Sequence, residues 1–395
     1  MTGDLFIHNL SQIASGDFET PLLEGNAILI EDGKFTAIGN HDSLIPPEGT
    51  PTIDANGATA IPGLIDSHFH PVIGDYTPRQ KVVDLIDSCL HGGVTRIISA
   101  GEVHMPGRPR GALGTRSLAI VTAQSWAQFR PSGVKVQGGG LLLQEGLTED
   151  DFEEMATAGV RHLGEVGLGG YHDWEKVTEM VQWAKRAGMT VMMHIGGASI
   201  PGSDAIRAEH AMMVKPDVAS HLNGGPTAPT LEDIEQIITK TDAALEIIQC
   251  GNVAIIPQIV ALAKQHNALH RVIIGTDMPS GTGTIPLGML RTISWVSALG
   301  DVPPQQVISM ATGTTARLYD LPSGRIEAGL EADVVLMDAP VGTRAGDALE
   351  TLAIGDTPGI SAVVIDGQLV VRKSRNTPPA QRQIILEAQA SHGAV

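Results

Sequence analysis

Side chains that bind transition metals recur at the ends of separate apolar segments of this sequence. The first segment ends in His68-Phe69-His70, and because strand side chains alternate between two faces, both imidazoles project to the same side. Later segments each end in one further histidine or carboxylate. The full set is His68, His70, Glu165, His194, His221 and Asp277.

A metal centre explains this set better than packing does. Six ionisable groups gathered without a cation would carry a heavy desolvation cost, whereas nitrogen and oxygen ligands suit Zn²⁺ or Fe²⁺. Four imidazoles and two carboxylates suit two metals about 3.5 to 4 Å apart that share a water of lowered pKa. We therefore predict a hydrolytic centre with two divalent metals, for which Zn²⁺ and Fe²⁺ are the candidates. Asp277 would serve as general base and then general acid.

Eight short apolar runs carry these residues. They begin near residues 58, 95, 133, 160, 190, 218, 244 and 271 and alternate with amphipathic stretches such as PRQKVVDLIDSCLHGG and LTEDDFEEMATAG. Repeated β-α units of this kind predict a parallel sheet, and eight units predict an α/β fold of the (β/α)₈ TIM-barrel type. Active sites of such barrels lie at the C-terminal ends of the strands, where the six residues fall.

Both ends of the chain have a different pattern. Residues 1–60 contain short alternating segments broken by Gly, Asp and Pro, and the same pattern returns in ADVVLMDAP and ISAVVIDGQLVVRK. We predict a small β-sandwich domain built from residues 1–60 and 320–375, a metal-dependent barrel over 61–319, and a polar tail over 376–395.

Composition excludes several classes of partner. The 44 acidic and 26 basic residues give a net charge of −18, which disfavours nucleic acid and anionic membranes. The two cysteines, Cys89 and Cys250, form no CxxC motif, and we find neither a signal peptide nor an apolar run long enough to span a membrane. These features predict a cytoplasmic enzyme.

The segment PGLIDSHFH, the carboxylate on the fourth strand, the single histidines on the fifth and sixth, and the Asp on the eighth resemble the amidohydrolase superfamily. The later ATGTTARLYDLPSGRIEAGLEADVVLMD is similar to that family's return into its β-sandwich. The resemblance implies that His68, His70 and Asp277 hold the more buried metal. It also implies that His194 and His221 hold the more exposed metal and that Glu165 bridges, in place of the carbamylated lysine of many members.

Further segments, among them HGGVTRIISAG, GEVGLG, SHLNGGPTA and DMPSGTGTIPLGMLR, resemble a branch of this family that opens a cyclic enamide bearing a carboxylate. That resemblance implies zinc paired with iron and a homotetramer made as a dimer of dimers. Arg108 and Lys135 are candidates to meet the substrate carboxylate, with His104 and Gln249 as polar neighbours. Lys135 has two alternatives, a bridging carbamate or a lysine directed to solvent.

Three other functions stay open. The same metal chemistry serves hydantoinases, dihydropyrimidinases, lactamases and isoaspartyl dipeptidases. A scaffold protein that has lost catalysis is the alternative from another class, although such proteins tend to lose ligands and all six are present here. A deaminase with one metal is the third, and GEVGLG argues against it because it supplies a carboxylate on the fourth strand.

Overall fold

The structure is a computed structural model that describes residues 3–73, 82–168, 171, 173–198, 203–225, 227–280 and 283–387. Packing divides the chain into two compact units. The first comprises the residues up to 65, residues 88–95 and the residues from 293 onward; the second comprises residues 66–87 and 96–292. The domain boundaries predicted at residues 60 and 320 stay predictions.

The chain begins with seven short strands of the first unit. They are β1 (Leu5–His8), β2 (Gln12–Ala14), β3 (Leu22–Leu23), β4 (Ala27–Glu31), β5 (Lys34–Gly39), β6 (Thr52–Asp54) and β7 (Thr59–Pro62).

The middle of the chain alternates strands with helices. The strands are β8 (Leu64–Phe69), β9 (Val94–Ser99), β10 (Lys135–Gln137), β11 (His162–Val166), β12 (Thr190–His194), β13 (Val218–Ser220), β14 (Ala244–Ile248) and β15 (Val272–Gly275). The helices are α1 (Val82–Leu90), α2 (Gly111–Gln128), α3 (Glu149–Thr157), α4 (Trp174–Arg186), α5 (Ala208–Val214), α6 (Leu231–Lys240), α7 (Ile256–Gln265) and α8 (Gly288–Gly300).

The last part of the chain belongs to the first unit. Its elements are α9 (Pro304–Met310), α10 (Gly313–Leu318), β16 (Val334–Asp338), α11 (Ala348–Ala353), β17 (Gly359–Ile365), β18 (Gln368–Val371) and β19 (Ile385–Leu386).

The eight middle strands close into a barrel, as the sequence predicts. One sheet runs β10-β9-β8 and another runs β11-β12-β13-β14-β15, with parallel pairing from β11 through β15. Two parallel bridges, Leu141 with Leu163 and Phe69 with Met278, join the two sheets at both edges. Closure brings the C-terminal ends of all eight strands to one rim.

The outer strands of the first unit form a β-sandwich. Its sheets have the orders β19-β6-β1-β4-β5 and β18-β17-β16-β7-β2-β3. Leu5 and Ile7 of the first sheet share a buried cluster with Val334 and Leu336 of the second, whereas Phe6 faces a separate small cluster. The alternation along β1 is the period of two expected of a strand with one face in the core.

Two boundaries differ from the sequence prediction. The first apolar run is not one strand, because it divides at Gly63 into β7 and β8; a Cβ there would lie 2.1 Å from Thr95 Oγ1. In addition, residues 376–387 are not a loose tail. Strand β19 pairs antiparallel with β6, and Arg382 forms an ion pair with the buried Asp338.

Within the described part of the chain, no helix is both long and apolar enough to cross a bilayer.

Candidate metal centre

The six predicted ligands lie at the C-terminal rim of the barrel, all within the second unit. Each is contributed by a strand or by the one or two residues that follow it. Their ligand atoms form two groups in which the atoms lie within 4.8 Å of one another: His68 with His70 and Asp277, and Glu165 with His194 and His221.

The first group is centred on the Asp277 carboxylate. Its Oδ1 lies 3.1 Å from His70 Nε2 and 3.4 Å from His68 Nε2. In the second group, Glu165 Oε1 lies 3.0 Å from His221 Nε2 and 3.5 Å from His194 Nδ1. Each group therefore presents two imidazole nitrogens and a carboxylate oxygen to a common point.

The second oxygen of Glu165 links the groups. Glu165 Oε2 lies 3.7 Å from His68 Nε2 and 3.9 Å from His70 Nε2, while Oε1 faces the other two histidines. A carboxylate with one oxygen directed at each group has the arrangement that a bridge between two cations needs.

The residues present fit a pair of divalent cations. His68 Nε2 and His194 Nδ1 are buried, and neither has a hydrogen-bond partner among the residues that the structure describes. A buried nitrogen without a partner costs free energy, and coordination removes that cost. Because the donors are imidazole nitrogens and carboxylate oxygens without thiolate, the set suits Zn²⁺ or Fe²⁺.

Electrostatics within the cluster point the same way. Burial lowers the pKa of His68, but the carboxylates of Glu246, Asp277 and Glu165 outweigh burial and hold that pKa well above its usual value. Burial would raise the pKa of Glu165, yet His68, His194 and His221 bring it well below its usual value. A cation must displace protons from these imidazoles, so metal binding is expected to weaken at acidic pH.

Hydrogen bonds on the outer ring nitrogens orient three of the histidines. His70 Nδ1 lies 3.0 Å from the carbonyl oxygen of Gly101, and His194 Nε2 lies 3.1 Å from that of Gly197. His68 Nδ1 lies 2.8 Å from Glu246 Oε2. Each contact places a proton on the outer nitrogen and leaves the inner nitrogen as a lone-pair donor toward the cluster.

Backbone contacts hold His221 and Asp277, two of the three predicted ligands that follow strands. His221 and Asp277 have φ angles of 33° and 58°, in the left-handed region that few residues other than glycine adopt. Asp277 donates its N–H to the carbonyl of His68 at 2.7 Å, and the Asn223 side chain pairs with both backbone groups of Ile248 at 2.8 and 2.9 Å. These bonds fix the turns that direct both ligands into the mouth.

Asp66 links two strands close to the same rim. It accepts hydrogen bonds from the backbone N–H of Thr276 at 2.8 Å and from the Thr276 hydroxyl at 2.5 Å. Burial raises the pKa of Asp66 to about 7, against the lowering effect of these bonds. Asp66 thereby ties β8 to the end of β15.

The predicted substrate-binding residues occupy different positions. The ring of His104 meets that of His70 edge-on with centroids 5.1 Å apart, and burial followed by repulsion from His70 lowers its pKa to about 4. Arg108 is half-buried and lines a cavity with Glu102 and Thr115. His104 and Arg108 are thus on the βα loop after β9, on the mouth side.

The other two predicted residues differ from each other. Gln249 directly follows β14 and is buried at the mouth end. Lys135 is the first residue of the three-residue strand β10, pairs with Arg96 in the middle of β9, and is only 5% exposed. The alternative of a lysine directed to solvent is therefore wrong, because the residue is buried.

Sequence reasoning missed Glu246, Asp66 and Glu102. Glu246 is fully buried in the middle of β14 and contacts His68. Glu102 follows β9, accepts a hydrogen bond from the backbone N–H of Ile73 at 3.1 Å, and has its pKa raised by burial to about 8. All three could have been found from the sequence, because each is an acidic residue that lies inside an apolar run or directly after one.

Comparison with known proteins places these observations in a family. The sequence profile of the amidohydrolase family matches residues 59–370. Enamidase of Eubacterium barkeri is 49% identical over 376 residues, which cover 95% of this chain and 97% of that protein. A dihydroorotase of Pelotomaculum thermopropionicum is 23% identical over 80% of this chain and 85% of its own length.

The solved structures agree with the sequence relatives. The crystal structure of enamidase, described there as a new member of the amidohydrolase superfamily, superposes with a TM-score of 0.94 at 48% identity. The match covers 98% of this chain and 100% of that one.

Proposed function

This chain belongs to the amidohydrolase family, and we propose that it is an enamidase, which hydrolyses 6-oxo-1,4,5,6-tetrahydronicotinate to 2-formylglutarate and ammonia. The observation that carries the proposal is the 49% identity to enamidase over nearly the whole length of both proteins. The two ligand groups around Glu165 supply the chemistry that amide hydrolysis requires.

The metal assignment is part of the proposal. His68, His70 and Asp277 would hold one cation, His194 and His221 would hold a second, and Glu165 would bridge them. When bound, the pair supplies a water of lowered pKa and polarises the amide carbonyl. We propose zinc with iron, the pair that the family resemblance implies, or two zinc ions; nitrogen and oxygen donors are compatible with either pair.

Proton transfer falls to Asp277. Its side chain is 17% exposed, against 3% for Glu165, so Asp277 is the carboxylate of the cluster that a ligand in the mouth reaches. Asp277 would take a proton from the attacking water and deliver it to the ring nitrogen as the C–N bond breaks. The released enamine tautomerises to an imine, and water converts the imine to an aldehyde and ammonia.

The carboxylate of the substrate needs a cationic partner. Arg108 is the candidate with a position on the mouth side, and His104 is neutral near pH 7 and so offers both a donor and an acceptor. Gln249 would add an amide from the end of β14, which β15 and β8 separate from β9. Lys135 is a weaker candidate for this role, because it is the first residue of β10 and therefore does not lie at the C-terminal end of its strand.

Assembly and cellular role extend the proposal. We propose a homotetramer arranged as a dimer of dimers, a cytoplasmic location and a place in nicotinate degradation. Light scattering coupled to gel filtration tests the assembly, and a mass other than that of four chains of 41.4 kDa would contradict it.

A substrate panel tests the activity. The purified enzyme, loaded with zinc and iron, would be offered the enamide, the saturated lactam 6-oxopiperidine-3-carboxylate, a hydantoin, a dihydropyrimidine and an isoaspartyl dipeptide. We expect turnover of the enamide with one ammonia released per ring and an aldehyde product. Turnover of a saturated lactam or of another cyclic amide, with the enamide left intact, would assign the chain to a different amidohydrolase activity.

A further inference from the structure

Glu246 is a carboxylate in an unusual place. It sits in the middle of β14 among apolar residues and is fully buried. Both of its oxygens are engaged: Oε1 accepts from the Ser67 hydroxyl at 2.6 Å, and Oε2 lies 2.8 Å from His68 Nδ1. Burying a carboxylate is costly unless hydrogen bonds and a nearby positive charge offset the loss of hydration. The buried Glu246 carboxylate therefore requires a cationic group beside it.

The contact distinguishes His68 from the other oriented histidines. His70 and His194 direct their outer nitrogens at backbone carbonyls, which are neutral acceptors. His68 directs its outer nitrogen at a charged acceptor, which strengthens that hydrogen bond and makes the inner nitrogen a better electron donor. That inner nitrogen, Nε2, is the atom that lies 3.4 Å from Asp277 Oδ1.

Negative charge is therefore distributed unequally between the two ligand groups. The group of His68, His70 and Asp277 contains the Asp277 carboxylate, and the Glu246 carboxylate contacts the outer nitrogen of His68. The group of His194 and His221 has Glu165, one oxygen of which also faces the first group. A divalent cation is expected to be held more firmly where more negative charge surrounds the ligands.

We propose that Glu246 is a positioning residue that, through His68, makes the His68–His70–Asp277 group retain its cation longer than the Glu165–His194–His221 group. The inference rests on the metal centre of the proposed function but not on the identity of its substrate. Glu246 would touch neither cation nor substrate and would act through the tautomer and basicity of one imidazole.

Metal release tests the proposal without any substrate. The zinc-loaded enzyme would be exposed to a chelator, and the zinc remaining per chain would be counted over time by mass spectrometry. We expect two phases in the unaltered enzyme, with one cation leaving early and one late. In Glu246→Gln, which keeps a hydrogen-bond acceptor and removes the charge, the late phase should accelerate about 10- to 100-fold while the early phase stays unchanged.

Two further variants separate positioning from a general loss of order. Glu102→Gln makes the same side-chain exchange at another buried carboxyl group, which burial keeps protonated at neutral pH; it therefore controls for the exchange without the loss of a charge and should leave both phases as in the unaltered enzyme. Ser67→Ala removes the other hydrogen bond of the Glu246 carboxylate, and its late phase should be no faster than normal. The visible spectrum of the cobalt-substituted enzyme should change in Glu246→Gln and not in Glu102→Gln.

Several results would overturn the inference. These are a single release phase in the unaltered enzyme, an unchanged late phase in Glu246→Gln, or equal acceleration of both phases. If Glu246→Gln does not fold, Glu246→Asp replaces it: the shorter side chain moves the charge away from His68 Nδ1, so the late phase should accelerate while the early phase stays unchanged, and an unchanged late phase would overturn the proposal. Failure to hydrolyse the enamide while the release phases behave as expected would refute the proposed substrate and leave this inference standing.

Discussion

Asp277→Asn is the substitution that most directly tests how the site moves protons. Asparagine keeps the shape of the side chain and an oxygen where Oδ1 lies 3.1 Å from His70 Nε2 and 3.4 Å from His68 Nε2. It removes the basic carboxylate. Because Glu165 Oε2 still faces His68 and His70, this group keeps one carboxylate, and we expect its cation to stay while proton transfer fails.

The size of the effect follows from the role assigned. General acid–base transfer contributes about 10²- to 10⁴-fold, so kcat should fall by that factor, or about 3 to 5 kcal/mol in the activation barrier. KM should change much less, because the ligands that orient the substrate remain. The assay is loss of enamide absorbance together with ammonia release, on enzyme whose metal content has been measured.

A matched control is available elsewhere in the chain. Asp277 has a φ of 58°, and the exposed Asp320 of the first unit has a φ of 50°, so Asp320→Asn makes the same exchange in a similar backbone conformation. It should retain normal turnover. Turnover of Asp277→Asn within about threefold of normal with both cations present, a loss far below the usual general-base contribution, would refute the proton-transfer role.

Three other predictions concern metal content and stability. Glu165→Gln should lower the cation content from two per chain to one, because the His194 and His221 group loses its only carboxylate; retention of both cations on elemental analysis would contradict bridging. Since burial raises the pKa of Glu102 from 4.5 to about 8, the folded chain holds a proton that the unfolded chain releases, and stability falls as pH rises from about 4.5 to 8. Denaturant unfolding of the metal-free proteins measures the difference in unfolding free energy between Glu102→Gln and the unaltered chain. This difference should grow in favour of the variant by about 3 kcal/mol from pH 5 to pH 8, and a difference that does not change with pH would contradict the raised pKa of Glu102. Arg382→Met should lower the unfolding free energy by about 1 to 2 kcal/mol, because it leaves the buried Asp338 without its ion pair; the loss stays moderate because part of the arginine is exposed. The double variant with Asp338→Asn should recover part of that loss.

The barrel and its ligands were predictable because their signals are local. Each strand is a short apolar run, and each ligand ends such a run, so alternation and turn chemistry place His68, His70 and His194 without any knowledge of distant contacts. Parallel strands that close into a barrel bring those ends together by geometry alone. The grouping of the six residues into two sets around Glu165 was predicted from the family resemblance.

Other features could not be predicted from local patterns. The split of the first apolar run at Gly63 depends on the approach of Thr95, and the pairing of β19 with β6 joins segments more than 300 residues apart. The burial of Lys135 was not predictable from its run, because it depends on the pairing of β10 with β9, where Lys135 lies opposite Arg96.

The sequence by itself determined the type of fold, the eight strands and the identity of the six side chains at the rim, since hydrophobic period and residue type are written along the chain. Only the tertiary structure decided which oxygen of Glu165 faces which histidines, and that Glu246 stands behind His68. Those relations depend on distances between strands far apart in sequence. Strand register and barrel closure set such distances, and no local pattern encodes either.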